Sequence, residues 1–146
     1  MNLWGRLGLA WTPADPFQKH NRTMRIVMHT PGDWMELNGK RVKVVEARID
    51  GTILVSDGVT RQSGERVRYI ALSPEILEGN DFWEADNVWS WWNDELTQSV
   101  DIYWEYDVAH VEVENGLQTH IETRITDVHE LQHLLSVADI DLDIKL

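Results

Sequence analysis

His129-Glu130-Leu131-Gln132-His133 is the pattern of this chain that most directly suggests chemistry. In a helix this spacing sets two imidazoles one turn apart, where they can bind zinc while the glutamate activates a water molecule. The surrounding residues predict a different use. At about 100° per residue, Val128, Leu131, Leu134, Leu135 and Ala138 form one apolar face, and His129 and His133 fall nearly opposite it. The imidazoles are therefore expected to point to solvent. A third ligand would have to come from Asp139, Asp141 or Asp143, whose spacing matches no zinc pattern. His129 and His133 stand as the metal ligands of an alternative, a zinc-dependent hydrolase; the leading reading assigns no catalytic residue, metal or cofactor.

A second set of candidates lies in the carboxylates and aromatics of the C-terminal half. Glu105, Asp107, Glu112, Glu114 and Glu122 alternate along predicted strands, so one sheet face can be lined with negative charge. Glu84, Asp86, Asp94, Glu95 and Asp101 add to it. Trp83, Trp89, Trp91, Trp92, Tyr103, Trp104 and Tyr106 lie in the same stretch. Most of these aromatics are expected in the core, with Trp91 or Trp92 as an exposed interface anchor, because adjacent strand residues face opposite ways. Nothing singles out a carboxylate pair with the separated pKa values of a glycosidase. Base stacking on nucleic acid is disfavoured, because the surrounding charge repels phosphate.

Charge is divided along the chain. Residues 1 to 72 hold eleven Lys/Arg against seven Asp/Glu, while residues 73 to 146 hold only Arg124 and Lys145 against eighteen, giving +4 and −16 within a total of −12. Such an excess of one sign costs stability through self-repulsion, and it attracts cationic surfaces. In the first half Lys40, Arg41, Lys43, Arg48, Arg61, Arg66 and Arg68 are nearly matched by six acids within residues 30 to 72. That half is read as electrostatically complementary to the acidic half. A small basic barrel binding nucleic acid is the other possibility.

The elements that must position these groups are those of an α+β protein. At 146 residues without cysteine, the chain is long enough for a core of its own and excludes disulfides and thiol chemistry. No apolar run approaches the ~20 residues of a membrane span, and no signal peptide is read, so a cytoplasmic location is expected. Residues 1 to 23 read as an extension carrying the basic patch Lys19-His20-Asn21-Arg22. Residues 24 to 72 read as a β-rich subdomain, bent or barrel-like, with strands over 25–29, 33–37, 41–49, 52–56 and 66–72. Asn38-Gly39, Asp50-Gly51 and Asp57-Gly58 supply hairpin turns. Residues 73 to 146 read as an acidic α+β subdomain. Ser73-Pro74-Glu75 starts a short helix stopped by Gly79, and residues 81 to 96 carry a loop and a strand. Strands over 99–114 and 117–125 meet at Asn115-Gly116, Thr126-Asp127 caps a helix over 128–138, and residues 140–146, apolar at every even position, form a terminal strand.

Three motifs resemble small uncharacterised proteins of bacteriophages and integrated elements of gut bacteria. They are Leu72-Ser73-Pro74-Glu75-Ile76-Leu77 followed by Phe82, Val128-His129-Glu130-Leu131-Gln132-His133-Leu134-Leu135, and Asp143-Ile144-Lys145-Leu146. Gly39-Lys40-Arg41-Val42-Lys43-Val44-Val45 is similar to the early strand of those proteins. The resemblance implies a phage accessory protein, and small acidic phage proteins recurrently block host nucleic-acid-handling machinery, including restriction and CRISPR effectors. Together with the charge, it leads to the expectation of a non-enzymatic inhibitor that mimics nucleic acid. Its host partner would have a basic surface, bound through Glu84, Asp86, Trp91, Trp92, Asp94, Glu95, Asp101, Glu105, Asp107, Glu112, Glu114 and Glu122. A structural or assembly protein of a phage or homo-oligomer is a further alternative, favoured if the terminal strand pairs with another subunit.

Overall fold

The computed structural model describes residues 29–146. The extension over residues 1 to 23, its basic patch and nearly all of the strand expected over 25–29 lie outside the described residues. Within them the architecture is α+β, with two antiparallel meanders and two helices.

The first sheet contains β1 (Trp34–Leu37), β2 (Lys40–Ala47), β3 (Ile53–Ser56) and β4 (Arg61–Ser63), paired in that order. Asn38 and Gly39 hold φ of 53° and 81°, the double left-handed pair that a tight hairpin requires. Alternation along β1, β2 and β3 sends Met35, Leu37, Val42, Val44, Ile53 and Val55 into a small apolar core. Gly64 sits against that core, and a Cβ there would run into the Ile53 side chain. From β4 the chain crosses to the far edge of β1, where Glu36 and Arg68 exchange backbone hydrogen bonds at 2.9 and 2.8 Å. A single bridge does not close a barrel, so the expected barrel-like part is an open four-stranded sheet. Instead of the strand expected over residues 66–72, the chain makes isolated bridges at Arg68 and Ala71.

Helix α1 (Pro74–Glu78) begins as the sequence predicts. Ser73 Oγ accepts from the Ile76 amide at 3.3 Å, Pro74 occupies the first turn and Gly79 ends it. The second sheet then runs β5 (Trp83–Ala85), β6 (Val88–Trp92), β7 (Gln98–Glu105), β8 (Val108–Asn115) and β9 (Thr119–Ile125), again in sequence order. The single strand expected over 99–114 is broken by a turn at Tyr106-Asp107 into β7 and β8, and residues 81 to 96 hold two strands and not one. Their turn is Asp86-Asn87, at φ 55° and 67°.

Helix α2 (Val128–Val137) packs on one face of this sheet. Glu130 closes a capping box with Asp127, and Val128, Leu131 and Leu135 join Val100, Ile102, Ala109, Val111, Val113 and Ile125 in the larger core. Burying a Leu or Ile side chain of this kind is worth about 1.5–3 kcal/mol.

Residues 140–146 form no strand. Their alternation is nevertheless real, with Ile140 and Ile144 buried and Leu142 and Leu146 partly so. Side chains take the place of a ladder. Asn80 donates to the Lys145 carbonyl at 2.9 Å and accepts from the Lys145 amide at 2.7 Å, Gln98 Oε1 accepts from the Asp141 amide at 2.8 Å, and Trp34 Nε1 donates to the Ile144 carbonyl at 2.9 Å. A row of apolar even positions is satisfied by any extended segment on a core, whether or not its backbone has a strand beside it.

Candidate functional site

The second sheet has α2 on one face, and among the described residues no helix or strand covers the other. Register decides which side chains share the open face. Ser90, Asp101, Glu112 and Glu122 stand directly opposite one another across β6, β7, β8 and β9, with Trp83 opposite Ser90 at the edge. One row along, Trp92, Ser99, Glu114 and His120 are aligned, and on the other side Tyr103, His110 and Arg124. Glu105 continues the same face of β7. Three carboxylates in direct cross-strand register, Asp101, Glu112 and Glu122, form a like-charge ladder of the kind that destabilises a sheet.

Local partners moderate that repulsion only at its margins. Ser90 Oγ donates to Asp101 at 2.6 Å. His120 Nε2 is 2.7 Å from Glu112, 3.4 Å from Glu122 and 4.0 Å from Glu114. The hydrogen bond to Glu112, helped by the charges of Glu112, Glu114 and Glu122, raises the His120 pKa above the ordinary imidazole value of 6.5. His110 Nε2 meets Glu105 at 3.0 Å and stacks on Tyr103, with ring centroids 4.7 Å apart. Between described residues, the one Lys or Arg within ion-pairing distance of a carboxylate is Arg48, on Glu46 at 3.0 Å. The basic residues of the first sheet therefore do not neutralise this face, contrary to the internal complementarity expected from the charge division.

The face also carries aromatic surface and a groove. Trp83, Trp92 and Tyr103 are 55%, 45% and 47% exposed. A groove of about 620 Å³ runs over Asp101, Tyr103, His110, Glu112, Glu122 and Arg124. The ligand atoms of Glu112, His120 and Glu122 lie within 4.8 Å of one another, the one such group of three among the described residues. A divalent ion there would compete with the proton on His120.

Of the twelve residues expected to bind a partner, Trp92, Asp101, Glu105, Glu112, Glu114 and Glu122 share the open face. The other six do not join them. Trp91 lies on the inner face, partly buried against the core. Glu84 is paired with Trp89 on the inner side and accepts from the Asn87 amide at 2.7 Å. Asp86 and Asp107 sit in hairpin turns, and Asp94 and Glu95 in the turn after β6. Sequence reasoning missed Trp83, Ser90, Tyr103, His110, His120 and Arg124 as members of the face. Period-two counting from Glu112 would have found His110, as counting from Glu122 would have found His120 and Arg124.

The histidines of α2 are placed differently from expectation. His129 is 4% exposed. It stacks on Tyr69 at 4.4 Å and meets His133 edge-on at 5.6 Å. His133 Nε2 bonds both carboxylate oxygens of Asp33, at 2.9 and 2.8 Å. The solvent assignment fails because α2 is covered on a second side by the chain leading into β1. Gln132 donates to the Gly32 carbonyl and accepts from the Trp34 amide, both at 2.9 Å. Glu130 accepts from the amides of Thr126 and Asp127 at 3.0 and 3.1 Å. Glu130 and His133 are thus occupied in holding α2 to its surroundings, whereas the buried Nδ1 of His129 has no hydrogen-bond partner among the described residues. Burial lowers the pKa of His129, outweighing the charges of Glu130, Asp127 and Asp33, which raise it.

Comparison with protein-family models, curated proteins and solved structures gives no match. Among the described residues no helix is long and apolar enough to cross a membrane. Fold and site together define an α+β protein of two antiparallel meanders, with one sheet face open, acidic and studded with aromatics.

Proposed function

We propose that the open face of the second sheet binds a cationic protein surface, and that the protein acts by occupancy without catalysing a reaction. The observation that carries this reading is the ladder Asp101–Glu112–Glu122, opposed across three strands without an ion pair to a Lys or Arg among the described residues. Strands ~4.8 Å apart, with same-face neighbours ~7 Å apart along each strand, present carboxylates on a rigid lattice. Such a lattice imitates the closely spaced charges of a nucleic-acid backbone. Trp83, Trp92 and Tyr103 supply the amphipathic anchors typical of interface hot spots. In the phage setting that the motifs suggest, the partner is a host protein whose basic groove normally holds nucleic acid, and occupying that groove inhibits it.

The test is a salt titration of the complex formed with basic proteins captured from host lysate. Affinity is expected to fall steeply as ionic strength rises, and Glu105→Lys with Glu112→Lys to weaken binding by roughly a hundredfold. Binding that stays level across the titration, or survives the double reversal, would remove the reading.

A further inference from the structure

The first sheet has an outer face too, and its charge is of the other sign. Met35, Leu37, Val42, Val44, Ile53 and Val55 point into the small core, so the residues between them point out. Register sets Trp34, Lys43, Ser56 and Arg61 side by side across the four strands, and Arg68, Glu36 and Arg41 in the next row. Arg41, Arg61 and Arg68 are exposed and Lys43 is half-buried. None of these four cations comes within ion-pairing distance of a carboxylate of a described residue. The Lys43 ammonium lies 4.8 Å from the centre of the Trp34 ring, a contact that places the charge without neutralising it. Acids on this face are few. Glu36 stands between two arginines, and Glu46 is held by Arg48 at 3.0 Å. A groove of about 330 Å³ opens here, lined by Trp34, Arg41, Lys43 and Ser56 with the turn at Asp57-Gly58.

We infer that this outer face binds the phosphate backbone of a single-stranded nucleic acid. A positively charged groove that tracks the backbone is the sequence-independent part of single-strand recognition. Three of the four cations are arginines, whose planar fork of N–H donors meets phosphate oxygens in pairs. An acidic protein is the poorer fit. Protein interfaces are anchored by large exposed aromatic or apolar side chains, and none of those exposed among the described residues lies on β1 to β4. The second sheet has three such anchors on its acidic face. Arg41 and Lys43 stand about 7 Å apart along β2, and Lys43 and Arg61 about 10 Å apart across two strand spacings. A flexible strand can be drawn over a patch that small, whereas a rigid duplex would bring its further phosphates towards the acidic half, at −16. The two faces belong to different sheets and take partners of opposite charge, so this inference stands apart from the binding of a cationic protein.

Fluorescence anisotropy of a labelled oligothymidylate, titrated with the full chain at several salt concentrations, tests the assignment. Binding is expected at low salt, with log affinity falling against log salt at a slope of about −2.8, or about 0.7 for each of the four cations. Arg61→Gln should reduce that slope by about 0.7, and Arg41→Gln with Arg61→Gln should weaken binding roughly tenfold or more. Arg61→Lys keeps the charge and should keep the slope. Both side chains are exposed, so the fold is expected to survive these changes. No binding at the lowest salt overturns the inference, as does binding that ignores salt or survives the double neutralisation. A duplex of the same length that binds more tightly than the single strand also overturns it, and so does polyglutamate that displaces the strand at equal charge.

Discussion

The two sheets are built by the same rule and use their charge in opposite ways. Both are meanders whose strands pair with their sequence neighbours, and each has its own apolar cluster. In the first sheet, acids and bases are mixed on the same strands. Glu36 faces Arg41, Lys43 lies 4.8 Å from the centre of the Trp34 ring, and the turn acids Asp50 and Asp57 are held by local hydrogen bonds from Thr52 and from Val59 and Thr60. In the second sheet, like charges are stacked in register on one face. Sequence alternation alone does not require that, since Gln or Thr would serve a solvated face equally well. The contrast teaches that the C-terminal half tolerates repulsion which the N-terminal half avoids, and that a role for the charge must be sought on the open face.

The sharpest way to break the comparison is to ask which core carries the stability. Leu131→Ala, inside the larger cluster, should cost about 2–5 kcal/mol in chemical denaturation. A loss under 1 kcal/mol would mean that the second sheet does not depend on α2 as described.

Acid titration sharpens it further at the seam between the halves. His129 has a lowered folded-state pKa, so in the unfolded chain it takes up a proton at the ordinary value of 6.5 while in the fold it does not. Stability should therefore fall as pH drops below 6.5, until the folded-state value is passed. His129→Gln should flatten that limb of the pH profile. An unchanged slope between wild type and variant would show that burial of this imidazole is not the cause.

The smallest expected effect concerns the ladder itself. Asp101→Asn keeps an acceptor for Ser90 and removes one like-charge crossing with Glu112. It should stabilise the fold by about 0.2–1 kcal/mol at low salt, and the gain should shrink at high salt. A loss of stability would mean that the ladder is not repulsive in this setting.

Much of the fold can be read from short-range signals, and the failures have identifiable causes. Asn38-Gly39 marks its hairpin because its backbone needs are nearly unique to those residues, whereas at Asn115-Gly116 Gly116 alone is left-handed and Asn115 stays paired with Thr119 in β8. β4 could not be seen, since Arg61-Gln62-Ser63 offers no apolar residue to betray a strand that is exposed throughout. Residues 81 to 96 read as a loop and one strand, where β5 and β6 stand, because Trp-rich segments blur the period of two and Asp86-Asn87 lacks the glycine that usually flags such a turn. The acidic face was legible in Glu105, Glu112, Glu114 and Glu122, where alternation suffices. It was not legible in Ser90 or Trp83, whose membership depends on register between strands. His129 was misplaced because a helical wheel registers one covering layer, and this helix has two.

Meander topology has a consequence for the order of assembly. Neighbours in each sheet are neighbours in sequence, so most closures are short and entropically cheap. The bonds from Trp34 to Ile144 and from Asn80 to Lys145 span 110 and 65 residues and tie the last segment to the body. Closing spans of that length costs more chain entropy than closing the hairpins, so residues 140–146 are expected to act as a latch, set after the sheets have formed.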